Sequence, residues 1–294
     1  MKAPRAGLAV VAPYLWLGLF FAFPFVLVGK LSLSDSALAI PPYAPRIDWS
    51  AGVAGLGAFV SALDLETYAQ TASDRLYVTA YLSSLKLAAI ATAILLVIGY
   101  PIAYGMSRFR PAVRQALVMA VILPFWTSFL IRIYAWIAIL RPQGLLNAGL
   151  AALGLPAVNL LNTEAAVIIG LVYAYLPFMV LPLYAVLERQ DESLLEAAQD
   201  LGATPTRAFW RVTFPLSLPG VAAGALLCFI PMVGEFVIPD LLGGSETLML
   251  GRIIWTEFFA NRDWPMACAV AIVLLATLVI PFLLLQRQQA RVLT

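Results

Sequence analysis

Apolar runs of roughly 20 residues or more recur along this chain, the length an α-helix needs to cross a hydrocarbon core of about 30 Å. In lipid no water meets the backbone N–H and C=O groups, so each run must satisfy its own hydrogen bonds, and a helix does this within one segment. Six runs qualify, at about 8–29, 77–106, 115–140, 164–187, 217–239 and 264–285. Of the 294 residues only 12% are charged and 62% are hydrophobic, with a mean hydropathy of +0.92. A water-soluble domain carries about 25% charged residues. The predicted fold is all-α: a polytopic membrane protein with six transmembrane helices in a single domain over 1–294.

The first run follows Lys2 and Arg5. It exceeds the apolar core of a secretory leader, about 7–15 residues, and no small-x-small cleavage site follows it, so it reads as a retained membrane helix. From 34 to 75 the chain is mixed and polar; the apolar patch 51–63 is too short to span and predicts a packed outer helix or loop. Lys86, inside the second run, is expected to snorkel to the outer interface. Pro124 interrupts the third run, and Pro177 and Pro182 the fourth. Gly220 and Gly224 give the fifth run a small-xxx-small spacing suited to close helix packing. Lys2, Arg5, Arg108, Arg110, Arg114, Arg189, Arg207, Arg211, Arg287 and Arg291 gather on one side of the spans; Arg46, Arg75, Arg141, Arg252 and Arg262 fall on the other. The positive-inside rule makes the richer side cytoplasmic, together with both termini.

Between the fourth and fifth runs lies a hydrophilic segment, 188–216, that must remain in water. Ser193 with Glu196 three residues on has the capping-box pattern and predicts a helix start at Ser193. Leu194, Leu195, Ala198 and Leu201 then fall near one face. Gly202 suits a left-handed C-terminal cap, and Thr204 with Pro205 predicts a capped second helix carrying Phe209, Trp210 and Phe214, ended or kinked by Pro215. Ala197 and Ala198 would let a partner's backbone come close. The same pattern also fits an amphipathic helix lying on the bilayer, with Glu196 only capping.

No catalytic constellation is visible, and the chain is not expected to be an enzyme. Histidine is absent, and Cys228 and Cys268 both sit in apolar runs, so neither a disulfide framework nor a Cys/His metal site is expected. There is no phosphate-binding Gly-rich Lys motif and no G-x-S-x-G elbow. A formal charge of +2 on a lipid-embedded chain gives no reason to expect a nucleic-acid partner.

Glu196-Ala197-Ala198, three residues, Gly202, nine residues and then Val212-Thr213-Phe214-Pro215 resembles the EAA motif of ABC-importer permeases, with Phe214 where the family has an aliphatic residue. The resemblance implies the type I importer permease fold in a bacterial inner membrane. It implies that Glu196, Ala197, Ala198 and Gly202 dock a coupling helix on an ATPase subunit. It also implies a second permease, as a heterodimer, two ATPase subunits that hold the ATP and Mg, and a periplasmic binding protein. The stretch from Leu123 to Trp136, Val233 to Gly244, and Asn261 to Pro265 are similar to the polyamine permeases, and Gly234-Glu235-Phe236 resembles the putrescine type more than the spermidine type.

For the substrate pathway, Glu235 stands out as a carboxylate in an apolar run, costly unless it faces a cavity or a partner charge. A diamine would supply that charge; a structural pair with Arg132 would do so too. Aromatic rings attract ammonium groups, and Trp126, Tyr134, Trp136, Tyr173, Tyr175 and Phe236 are available, with Asp240 in the acidic outer loop that follows. The same rings also serve as ordinary packing and interface anchors.

Overall fold

A computed structural model of the chain describes residues 6–46, 48, 50 and 52–292; Lys2 and Arg5 lie outside the described residues. The chain opens with α1 (Ala6–Leu17), which passes through a wide π turn, Gly18–Ala22, into α2 (Phe23–Ser32). A short antiparallel hairpin follows, β1 (Asp35–Ser36) on β2 (Tyr43–Ala44), with Asp35 opposite Ala44. The apolar patch beyond it forms α3 (Gly52–Ser61), and α4 (Glu66–Ser73) starts where Asp64 Oδ1 accepts the Glu66 N–H at 2.9 Å. Asp74 Oδ1 does the same for Leu76 N–H, at 2.8 Å, at the start of α5 (Arg75–Arg108).

α6 (Pro111–Ile122) carries Pro111 in its first turn, where a missing N–H costs nothing. The third apolar run does not form one continuous helix. Leu123–Trp126 tightens to a 3₁₀ turn around Pro124, Thr127 and Ser128 are extended, and α7 (Phe129–Leu140) starts afresh. Proline removes a backbone donor and crowds the preceding turn. The Thr127 hydroxyl, donating to Pro124 O at 2.8 Å, meets one of the carbonyls at the break.

α8 (Leu145–Ala152) leads to α9 (Glu164–Leu187), whose N-cap Thr163 accepts the Ala166 N–H. Then come α10 (Ser193–Asp200), α11 (Pro205–Ala208), a π turn at Phe209–Thr213 and α12 (Phe214–Val233). The chain finishes with α13 (Val237–Leu242), α14 (Leu250–Trp255), a π turn at Thr256–Ala260 and α15 (Trp264–Val292). Among the described residues five helices are long and apolar enough to cross a membrane: Pro13–Ser32, Arg75–Arg108, Phe129–Ala152, Glu164–Leu187 and Pro205–Val233. Pro111–Trp126 and Trp264–Val279 are shorter apolar helices among the described residues.

Two compact units emerge, one from the described residues of Met1–Tyr81 and Leu250–Thr294, the other Leu82–Met249. In the first, α2 and α4 pack on α15: Tyr68 OH donates to Ser32 Oγ at 2.7 Å, and Thr71 Oγ1 lies 3.3 Å from Met266 Sδ. Lys30 Nζ sits 3.7 Å above the Tyr43 ring.

In the second unit the dominant pairing is α9 on α12. The small residues permit it. A Cβ on Gly224 would meet Met179 Sδ at 2.9 Å and its carbonyl oxygen at 3.1 Å, and one on Gly220 would meet Val186 at 3.1 Å. Leu87, Leu95, Leu171, Met179, Leu183 and Met232 fill the core of this unit. Lys86 does not simply snorkel: it pairs with Glu164 at 2.8 Å, tying α5 to the start of α9.

Candidate functional site

The hydrophilic segment folds as two short helices around a left-handed turn. Its first helix starts at Ser193 as predicted, but not through a capping box: Ser193 is already in the first turn, and the Glu192 cap position is helical with no side-chain cap. Asp191 does the capping instead, its Oδ1 accepting the Ser193 N–H at 3.0 Å. Because Asp191 holds the backbone two residues ahead, the chain has entered helical geometry before Ser193 can act as cap.

At the other end Gly202 has φ +83°. Its N–H bonds Gln199 O at 2.8 Å, and Ala203 N–H bonds Ala198 O at 3.0 Å, the paired bonds of a Schellman cap. Thr204 Oγ1 accepts the Arg207 N–H at 3.4 Å, with Pro205 in the first turn. The second helix does not end at Pro215. It widens into the π turn, with Phe214 N–H reaching Phe209 O, and runs on to Val233. The wide turn lets the helix continue past a proline that has no N–H to give.

Glu196, Ala197 and Gly202 are exposed and Ala198 half-buried. Leu194 and Leu201 also face outward, Leu201 at 90% exposure, so α10 presents a small-residue and leucine surface. The base of the segment is clamped. Gln190 Nε2 donates to Thr213 O at 3.1 Å, Arg114 pairs with Glu188 at 2.8 Å, and Arg108 with Glu192 at 3.2 Å. Hydrogen bonds from Tyr184 and then from Arg114 hold the Glu188 carboxyl below its usual range.

The expected pathway residues divide. Glu235 lies in a break between α12 and α13 and is partly buried. Its Oε2 accepts the Tyr175 hydroxyl at 2.9 Å and its Oε1 the Val237 N–H at 3.1 Å. No ion pair joins it to Arg132 among the described residues, which removes the structural pair weighed from sequence. The Arg132 guanidinium stacks instead over Phe125 at 5.1 Å and Phe129 at 5.6 Å. Its Nε is buried without a hydrogen-bond partner.

Trp136 and Tyr173 form an edge-on ring pair at 5.4 Å. Tyr175, 9% exposed, sits 5.8 Å from Phe178, which in turn meets Phe125 at 5.3 Å. Trp126 and Tyr134 are 72% and 57% exposed, Phe236 is partly exposed, and Asp240 lies in the first turn of α13. Phe178 carried no sequence signal beyond apolarity; Phe129 lies three residues before Arg132 on α7, and Phe125 lies across the break at 123–128 from it.

Chemically, one carboxylate oxygen is held by a phenol and the other by a backbone amide, at a helix break lined by aromatic rings. Such a site can accept further hydrogen bonds from an ammonium group.

Residues 96–292 match the family described as binding-protein-dependent transport system inner membrane component. The chain is 48% identical over 209 residues, 69% of its length and 73% of the relative's, to the spermidine/putrescine transport system permease protein PotB of Haemophilus influenzae. It is 45% identical over 214 residues, 72% of its length, to the protein of the same name from Escherichia coli strain K12, covering 77% of that relative. In structure it is similar to a chain of a bacterial alginate ABC transporter crystallised in complex with an alginate pentasaccharide-bound periplasmic protein. That match has a TM-score of 0.75 at 16% identity and covers 98% of this chain and 94% of the other.

Proposed function

Because this chain belongs to the family of binding-protein-dependent transport system inner membrane components, we propose that it forms half of the pore of a polyamine importer and couples to a partner ATPase through the segment 188–216. The family and fold make it a permease subunit of the inner membrane rather than an enzyme. The polyamine assignment draws on the relatives' names, which join spermidine and putrescine. Putrescine is the amine proposed here, on the resemblance of Gly234-Glu235-Phe236 to the putrescine type.

In this reading a periplasmic binding protein delivers the amine to the outer side, and this chain and a second permease enclose its path. Two ATPase subunits bind ATP and Mg and grip the two permeases. Closure of the ATPases displaces α10. The displacement passes through the turn at Gly202 into the helix Pro205–Val233, which is continuous from the loop into the bundle. At the far end of that helix, Glu235 offers its carboxylate to an ammonium group and the neighbouring rings offer their faces. Both termini and the loop lie in the cytoplasm.

The observation that carries this reading is the outward face of α10. Glu196, Ala197, Leu194 and Leu201 are exposed on a helix fixed at both ends, which suits docking in a groove. The test is uptake of labelled putrescine and spermidine by proteoliposomes holding the full transporter. ATP-dependent, binding-protein-dependent uptake with mutual competition between the amines is expected. Uptake that continues with an inactivated ATPase, or a preference for anionic solutes, would refute the assignment.

A further inference from the structure

Just past the loop, α12 meets α5 at a buried polar contact. Tyr100 OH and Ser217 Oγ lie 2.9 Å apart, with Tyr100 9% and Ser217 0% exposed. The Ser217 hydroxyl donates to Phe214 O at 2.7 Å, which leaves Tyr100 as the donor to Ser217. The Tyr100 ring stands edge-on to Phe209 at 5.8 Å and tilted to Phe214 at 5.8 Å, and Tyr104 meets Phe209 edge-on at 5.3 Å.

These contacts bracket the π turn Phe209–Thr213. A π turn holds one more residue than an α turn and recurs at functional sites. The Thr213 hydroxyl inside it is buried with no hydrogen-bond partner, so its own packing pins it weakly. The turn is held from outside: Gln190, just past α9, bonds the Thr213 carbonyl, and Tyr100 of α5 bonds Ser217 and packs on Phe209.

We propose that Tyr100 is a positioning residue that locks the π turn 209–213 to α5, so that displacement of the loop moves α5 together with α12. The proposal rests on the reading of 188–216 as the ATPase-docking segment. Without the hydroxyl the ring still packs, but the turn can slide past α5 and part of the stroke is lost.

The test uses Tyr100→Phe, Ser217→Ala and the double variant in the complete transporter, reconstituted with its ATPase, second permease and binding protein. Amines imported per ATP hydrolysed are measured beside crosslinking of a cysteine introduced at Ala198 to the ATPase. Crosslinking is expected to persist while import per ATP falls about threefold to tenfold in each single variant, the range one buried hydrogen bond carries. The double variant should be no worse than Ser217→Ala alone, since the Tyr100–Ser217 bond is already gone in that single variant. Import per ATP that stays at the wild-type value, even where hydrolysis and uptake fall together, overturns the proposal. Failure of Ala198→Cys to crosslink in an otherwise wild-type transporter that still imports would instead overturn the docking reading itself.

Discussion

At the scale of single residues, Glu235 decides most. Its two oxygens are held by Tyr175, 60 positions away in sequence, and by its own segment's Val237 N–H. Glu235→Gln keeps the shape and an acceptor but removes the charge. The apparent affinity for a diamine is expected to fall about tenfold or more, the scale of a hydrogen bond to a charged group. The KM for uptake checks it, and an unchanged KM would assign Glu235 to holding the helix break alone. Glu188 gives a pH signature. Its carboxyl titrates below the usual range because Tyr184 and Arg114 favour the ionised form, so its contribution to stability is present above the unfolded carboxylate range and is lost as pH falls through its lowered value. Melting curves of the detergent-solubilised protein at decreasing acidic pH should therefore converge with those of Glu188→Gln. Curves that stay equally separated at every pH would contradict this. Neither pairing was legible from sequence. Glu235 with Tyr175 and Lys86 with Glu164 join residues far apart in the chain, and an apolar run does not state which neighbour it will face.

At the scale of elements, local chemistry was readable wherever it acts within a few residues. The left-handed Gly202, the Thr204 cap and Pro205 in the first turn each follow from the needs of one turn, and each forms. Ser193 does mark the start of α10, but Asp191, two residues earlier, supplies the side-chain cap. The third run broke because the hydropathy of a window averages over Pro124, whereas the backbone cannot. Replacing Gly202 with Val should cost about 1–2 kcal/mol, the penalty for an L-residue in left-handed geometry. The effect should appear as weaker binding of the ATPase to the permease, measured by pull-down of the assembled complex; equal recovery would show that the turn is not used. The α9–α12 contact makes a second expectation. Gly224→Val drives a side chain into Met179 and should lower stability by about 1–3 kcal/mol, read from thermal unfolding in detergent. A melting temperature equal to wild type would show that the two helices can separate at that point.

At the scale of the whole molecule, composition and run length fixed the class of solution, a helical membrane protein, and family membership sets the system it serves. The proposed direction of insertion rests on arginine placement, and the proposed role of the loop rests on that direction: an exposed leucine and alanine face is useful to a cytosolic motor only if it lies on the cytosolic side. What hydropathy could not state is how the runs group. The described residues form two compact units, and one boundary falls at Tyr81, inside the unbroken helix α5. Helical periodicity contains no mark of such a division, because it depends on which distant segments pack against each half.

The central claim is that the segment 188–216 passes force from a nucleotide-hydrolysing partner into the bundle. The most direct measurement places a single crosslinking residue at the exposed Leu201 and follows amine uptake before and after reaction in the complete transporter. The expected result is a crosslink to the ATPase subunit, formed only with reagent on the cytoplasmic side, that arrests uptake while leaving the binding protein free. Labelling from the periplasmic side, or undiminished uptake by the crosslinked complex, would contradict the account.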